Sequence, residues 1–164
     1  MKRILIAGAN SYIGTSFENY IKQWPDQYQV DTIDMIDGSW REKSFNGYDV
    51  VFHVAGIAHS DNGKITEEKK NFYYKINRDL TIETARKAKT DGVKQFIFMS
   101  SAIVYGDSAP IGKQKIITKD TKPQPSNCYG DSKFQAENSI LPLQDNSLHE
   151  CKFRTSYIKS YLGK

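Results

Sequence analysis

Tyr129 and Lys133 stand four positions apart in a stretch with helical patterning, a spacing that puts both side chains on one face of a helix. An ammonium held beside a phenol favours the phenolate and lowers a pKa that is about 10 for a free tyrosine. The pair is therefore a base usable near neutral pH. The run Gln95-Phe96-Ile97-Phe98-Met99 reads as a strand, followed by a polar loop that opens with Ser100-Ser101. A serine at the C-terminal end of a parallel strand faces the crevice where α/β sheets place their ligands. Ser101, Tyr129 and Lys133 are the candidate catalytic residues.

The elements that must position them alternate in the order of an α/β sheet. Residues 3 to 7 form a short apolar run that breaks at Gly8, and residues 12 to 23 read as a helix with Ile13, Phe17 and Ile21 on one face. Between them lies the strand-to-helix turn Gly8-Ala9-Asn10-Ser11-Tyr12-Ile13-Gly14. Gly8 allows the turn, Gly14 lets the helix sit close on the strand, and the free N–H groups of the helix N-terminus offer a seat to a pyrophosphate. Residues 28 to 33 read as the second strand, ending at Asp34. A carboxylate there would accept from an adenosine 2′-hydroxyl and repel a 2′-phosphate, which favours NAD over NADP. Asp37 is near enough to compete for the part, and an ordinary loop aspartate is the plainer reading.

The connection to the third strand, residues 49 to 53, is short, with Trp40 and Phe45 packing it down. Residues 65 to 90 have helical spacing and end at Asp91-Gly92. The charged run Glu67-Glu68-Lys69-Lys70 is most simply a solvated face. A loop over residues 106 to 127 is long for a connection without a function. Ser126 or Asn127 caps the helix that carries Tyr129 and Lys133, which runs to about Leu141 before Pro142 stops it.

The stretch Phe98-Met99-Ser100-Ser101-Ala102-Ile103-Val104-Tyr105-Gly106, followed by Pro125, Tyr129-x-x-x-Lys133 and Ala136-Glu137, resembles the extended short-chain dehydrogenase/reductase family. Within it the resemblance is to NAD-dependent sugar-nucleotide epimerases and dehydratases of the UDP-glucose 4-epimerase type. Tyr-x-x-x-Lys alone is common in helices; joined in order to the serine loop and the glycine turn it is specific. The turn at Gly8 resembles the family's Gly-x-x-Gly-x-x-Gly, with Ser11 in place of the middle glycine, where a side chain would either crowd the phosphates or donate to one. His53-Val54-Ala55-Gly56 resembles the family's His-x-Ala-Ala/Gly turn, whose small residues let the backbone approach the cofactor. His53 itself is more often a packed, hydrogen-bonded imidazole than a catalyst, and His59 would meet substrate or only water. Asn77 matches the helix asparagine that props the backbone near the active site; a solvated asparagine is the bland alternative.

The resemblance implies that NAD is held by Gly8, Asn10, Ser11, Tyr12, Ile13, Gly14, Asp34, Val54, Ala55, Gly56, Asn77, Tyr129 and Lys133. It implies a nucleotide-sugar substrate, a UDP-sugar first among them, from which Tyr129 takes a hydroxyl proton while Ser101 holds the reacting oxygen. A homodimer is compatible with it.

At 164 residues the chain has room for one domain, which at that size buries roughly 70% of its unfolded surface. The net charge of +4 is mostly local, with Lys152, Arg154, Lys159 and Lys164 near the end against Glu150, so it is poor evidence for nucleic acid. Cys128 and Cys151 are too few for a disulfide framework or a zinc site, and fit a reducing cytoplasm. The apolar run after Met1-Lys2-Arg3 is too short for a signal peptide, and no segment reaches the ~18 to 20 apolar residues of a membrane span.

The expected fold is α/β, a doubly wound parallel sheet of the Rossmann type over residues 1 to 145, with an atypical tail over 146 to 164 and no recognisable C-terminal substrate domain. The cations alternating through the tail suit an edge strand with one face in water. Without the domain that grips the nucleotide in relatives, the chain is expected to have weak activity. The alternative is a non-catalytic NAD-binding or regulatory Rossmann protein.

Overall fold

The computed structural model describes residues 1–58, 65–107 and 109–155; His59 and the tail beyond Thr155 lie outside them. The apolar runs become the strands β1 (Lys2–Ala7), β2 (Tyr28–Ile33), β3 (Val50–His53) and β4 (Gln95–Ser101). With β5 (His149–Thr155) they form a five-stranded, wholly parallel sheet of order β2-β1-β3-β4-β5. Ile4 to Ala7 and all four residues of β3 are buried, as strands covered on both faces must be.

Alternate side chains leave the sheet on opposite faces. Ile4, Ile6, Val50 and Phe52 pack towards α1 (Tyr12–Ile21), where Phe17 meets the Phe52 ring edge-on at 4.9 Å. Leu5, Val51, Phe96 and Phe98 face the other way, onto α3 (Leu80–Thr90) and α4 (Cys128–Ile140). The short crossover from β2 to β3 passes on this second face. Trp40, in a 3-10 turn over Ser39–Arg41, and Phe45 are both fully buried there. Truncating either to alanine is worth about 3–5 kcal/mol. Phe45 N–H is also held by the Asp91 carboxylate at 2.7 Å, which ties the crossover to the end of α3.

The sheet takes in the start of the tail as its edge strand: β5 pairs with β4 from His149 opposite Gln95 to Thr155 opposite Ser101, and Leu148 enters the core at 1% exposure. An edge strand needs only one hydrogen-bonded neighbour and can keep one face in water, which is the place that the alternating cations of the tail suit. Two expectations need correction. The first helix stops at Ile21, two residues early. The long helical stretch is not one α-helix: α2 (Glu67–Tyr73) passes into a π-helical segment, Tyr74–Asp79, before α3 begins. Periodicity cannot show such a widened turn, because the apolar spacing on either side is unchanged.

Candidate active site

The strand order reverses between β1 and β3, and the turns that leave their C-terminal ends touch. Gly8 adopts φ +128°, and a Cβ on it would lie 2.8 Å from the Ala55 amide nitrogen. Val54 N–H and Ala55 N–H both donate to the Ala7 carbonyl, at 2.9 and 3.0 Å. Such a switch point is where open α/β sheets bind their ligands.

The catalytic candidates meet the same end of the sheet. Asn127 caps α4, its side-chain oxygen accepting from Gly130 N–H at 2.8 Å. Lys133, Ala136, Glu137 and Ile140 then form the helix's buried face, as the 3.6-residue period requires. Lys133 is 4% exposed and donates to the Met99 carbonyl at 3.0 Å, with its Nζ 4.8 Å from the centre of the Phe98 ring. Burial pushes its pKa down to about 8, against an opposing pull from Glu137. A Cβ on Gly56 would lie 2.9 Å from Lys133 Nζ, so the ammonium reaches the turn beyond β3.

Tyr129 is half-buried one turn before Lys133, its ring 6.3 Å from that of Tyr73. Ser101 ends β4 and heads the 3-10 turn Ala102–Tyr105, its Oγ accepting from Ile103 N–H at 3.3 Å. A Cβ on Gly130 would lie 2.9 Å from the Ile103 carbonyl, so the first turn of α4 sits directly on the Ser101 loop. Lys133 and the first turn of α4, which carries Tyr129, thus meet the C-terminal end of β4 and the loop that Ser101 heads.

The stretch from Gly8 to Gly14 fits a diphosphate. Ser11 is the N-cap of α1 and its Oγ accepts from Gly14 N–H at 3.1 Å, so the side chain folds back on its own helix instead of crowding the mouth of the turn. The first-turn amides of Tyr12 and Ile13 have no acceptor within the helix by its geometry, and both residues are exposed. Asn10 sits beside them at φ +61°, a conformation asparagine tolerates. Asp34 is exposed at the end of β2, one carboxylate oxygen accepting from Ile36 N–H at 2.7 Å. Asp37 accepts from Ser39 N–H at 2.9 Å, a bond that holds its carboxyl below the usual range. A cleft of about 830 Å³ opens between this loop and the π-helical segment, lined by Met35, Asp37, Arg41, Tyr74 and Arg78 among others. Asp37 lines it and Asp34 does not; neither do Ser101, Tyr129 or Lys133.

Asn77 sits at 0% exposure in the middle of the π-helical segment, and the solvated reading of it is wrong. It bonds both backbone groups of Ile57, and its Nδ2 also donates to Ser132 Oγ at 3.1 Å. It therefore acts on the turn that reaches Lys133. His53 is a packed imidazole: it is fully buried, stacked on Phe96 at 5.9 Å, with Nε2 at 3.1 Å from Thr81 Oγ1. The Thr81 hydroxyl proton goes to the Asn77 carbonyl at 2.8 Å, which assigns the imidazole proton to Nε2. Burial pushes its pKa down to about 3, so the ring is neutral.

Sequence reasoning missed Thr81, Ser132, Ser100 and the role of Glu137. The Ser100 hydroxyl donates to Glu137 at 2.6 Å, with both residues buried. A serine next to Ser101 and an acid four residues after Lys133 were the available signals. On the outer side of α4, Tyr74 donates to Asp131 at 2.6 Å, and burial with that carboxylate pushes its phenol up to about 12.

A model of the NAD dependent epimerase/dehydratase family matches residues 4–156. The chain belongs to that family. UDP-glucose 4-epimerase of Vibrio cholerae is 30% identical over 164 residues, covering 91% of this chain and 49% of its own length. UDP-arabinose 4-epimerase 1 of Arabidopsis thaliana is 32% identical over 127 residues, covering 75% and 28%. Among solved structures, UDP-glucuronic acid 4-epimerase from Bacillus cereus in complex with NAD superposes with a TM-score of 0.73 at 20% identity, covering 94% of this chain and 56% of its own. The chain spans about half the length, or less, of the family members it matches. The family match runs past residue 145 and takes in β5, in agreement with the sheet. Among the described residues no helix is long and apolar enough to cross a membrane, and no cluster of three metal-ligating side chains occurs.

Proposed function

We propose that this chain is the NAD-binding and proton-transferring part of a sugar-nucleotide epimerase or dehydratase, acting on a UDP-sugar. The observation that carries the reading is the convergence of Gly8, Gly56 and Lys133. One continuous strip joins the diphosphate seat at α1 to the helix that carries the candidate base. NAD held along it would supply a hydride acceptor. The Gly8 turn and the N-terminus of α1 would hold the diphosphate, an acid at the end of β2 would take the adenosine ribose, and the small residues of the Val54–Ala55–Gly56 turn would let the backbone approach the cofactor.

Tyr129 Oη takes the sugar hydroxyl proton, and the Ser101 hydroxyl hydrogen-bonds the same oxygen as it becomes a carbonyl. Lys133 lies in a poorly solvated position, where its charge acts on the phenol with little screening. Hydride and proton must leave one carbon–oxygen unit together, which is why base and cofactor belong in one site.

The test is the ultraviolet spectrum and intact mass of the purified protein, followed by calorimetry with NAD and NADP and a turnover assay with UDP-sugars. NAD carried through purification or bound in calorimetry is expected, with weak turnover. Dinucleotide binding with no turnover on any UDP-sugar identifies a binding module. No dinucleotide binding at all would remove the reading.

A further inference from the structure

The Ser101, Tyr129, Lys133 group leaves Glu137 unused, although it is the most deeply buried ionisable side chain of α4. Glu137 is 0% exposed, and a carboxylate taken out of water is costly unless it is paired and hydrogen-bonded. It lies four residues after Lys133 on the buried face of α4, the spacing at which two helix side chains meet. The Ser100 hydroxyl, itself 2% exposed, donates to it at 2.6 Å from the strand beneath, so the carboxylate is anchored to the sheet and to the helix. Lys133 meanwhile donates to the Met99 carbonyl, one residue before Ser100 on the same strand.

The geometry points to Glu137 as a positioning residue: its buried carboxylate, fixed by Ser100, keeps Lys133 in the ammonium form that the site needs at neutral pH. The inference rests on the assignment of Lys133 to the catalytic group. Burial lowers the pKa of Lys133, and Glu137 opposes that fall. The other titratable groups packed around α4 do not replace it. His53 on β3 is neutral by burial. Tyr73 on α2 contacts Tyr129, while Tyr74 and Arg78 in the π-helical segment bond Asp131 and Gln135 on the outer side. Tyr129 belongs to the helix itself. A glutamate that merely filled space would leave the charge of Lys133 unchanged.

The experiment is a pH titration of the Lys133 side chain by NMR, using lysine labelled with 13C at Cε and assigned with Lys133→Met. It requires neither cofactor nor substrate. The wild-type midpoint is expected at about 8. In Glu137→Gln, which keeps the shape and an acceptor for Ser100, it should fall by about 1 to 3 pH units. Glu137→Asp should restore it most of the way. An unmoved midpoint in Glu137→Gln, or an equal fall in Glu137→Asp, would overturn the inference. Should Glu137→Gln fail to fold, the double variant Ser100→Ala with Glu137→Met removes both polar partners at similar volume, and the same fall is required of it. Failure of the wild type to bind a dinucleotide would defeat the proposed function and leave this titration to be judged separately.

Discussion

Asn77 completes both backbone hydrogen bonds of Ile57, accepting from its N–H at 2.9 Å and donating to its carbonyl at 3.0 Å. The side chain is acting as the next strand of a sheet would, at the point where the chain after β3 has left its neighbours. Buried peptide groups must find such partners. Asn77→Ala removes these and the bond to Ser132 together, so it should destabilise the protein by about 3 kcal/mol or more. Denaturant unfolding measures this. A loss under about 1 kcal/mol would mean that the turn closes its bonds elsewhere.

His53 predicts an acid limit to stability. Its folded pKa lies at about 3, below the ordinary 6.5, so below pH 6.5 the unfolded chain binds a proton that the folded chain refuses. Stability from this group is complete above pH 6.5 and falls as pH drops towards 3, by about 1.4 kcal/mol per unit. Unfolding curves at pH 6.5 and 5 should differ by about 2 kcal/mol from this residue alone. His53→Gln, less stable at pH 7 for its lost stacking, should show a flatter pH profile. An unchanged slope in that variant would assign the acid sensitivity to other groups.

How much of this was legible in the sequence depended on the kind of signal. Strands β1 to β4 were visible because apolar runs bounded by glycine or aspartate have few other readings, and β2 was bounded to the residue. The packing of Trp40 and Phe45 was visible because two large aromatics in a short crossover have nowhere else to go. Strand β5 was legible only as a possible place, since alternating cations suit an edge strand but carry no apolar run to mark its bounds. The buried partners Ser100, Thr81 and Ser132 were invisible, because a small hydroxyl residue looks alike in sequence whether it meets water or a buried carboxylate. Ser11 shows the same limit: its hydroxyl turns back to cap α1, a choice that only the backbone conformation makes.

Cofactor choice should follow the acids after β2. NAD is expected to bind better than NADP by about 1 to 3 kcal/mol, because a 2′-phosphate would meet a carboxylate where a ribose hydroxyl would donate to one. Arg41 is not available to reverse this, being forked onto Glu83 with Nη2 to Oε2 at 2.6 Å. Asp34→Ala and Asp37→Ala measured by calorimetry will separate the two candidates. The variant that narrows the gap names the ribose ligand, and equal affinities in the wild type would remove both.

Tyr129→Phe isolates the proton transfer. The ring keeps its contact with Tyr73 and its place on the first turn of α4, so only Oη is lost and NAD affinity should stay nearly constant. A positioned acid or base contributes about 10²- to 10⁴-fold in rate, so turnover of a UDP-sugar should fall by at least about 100-fold. Lys133→Met should differ in kind. Its Nζ reaches both the Met99 carbonyl and the Gly56 turn, so dinucleotide affinity and turnover should fall together. Wild-type turnover in Tyr129→Phe would show that the base lies elsewhere, whereas loss of NAD binding in that variant would show that Tyr129 holds the cofactor and does not act on the substrate alone.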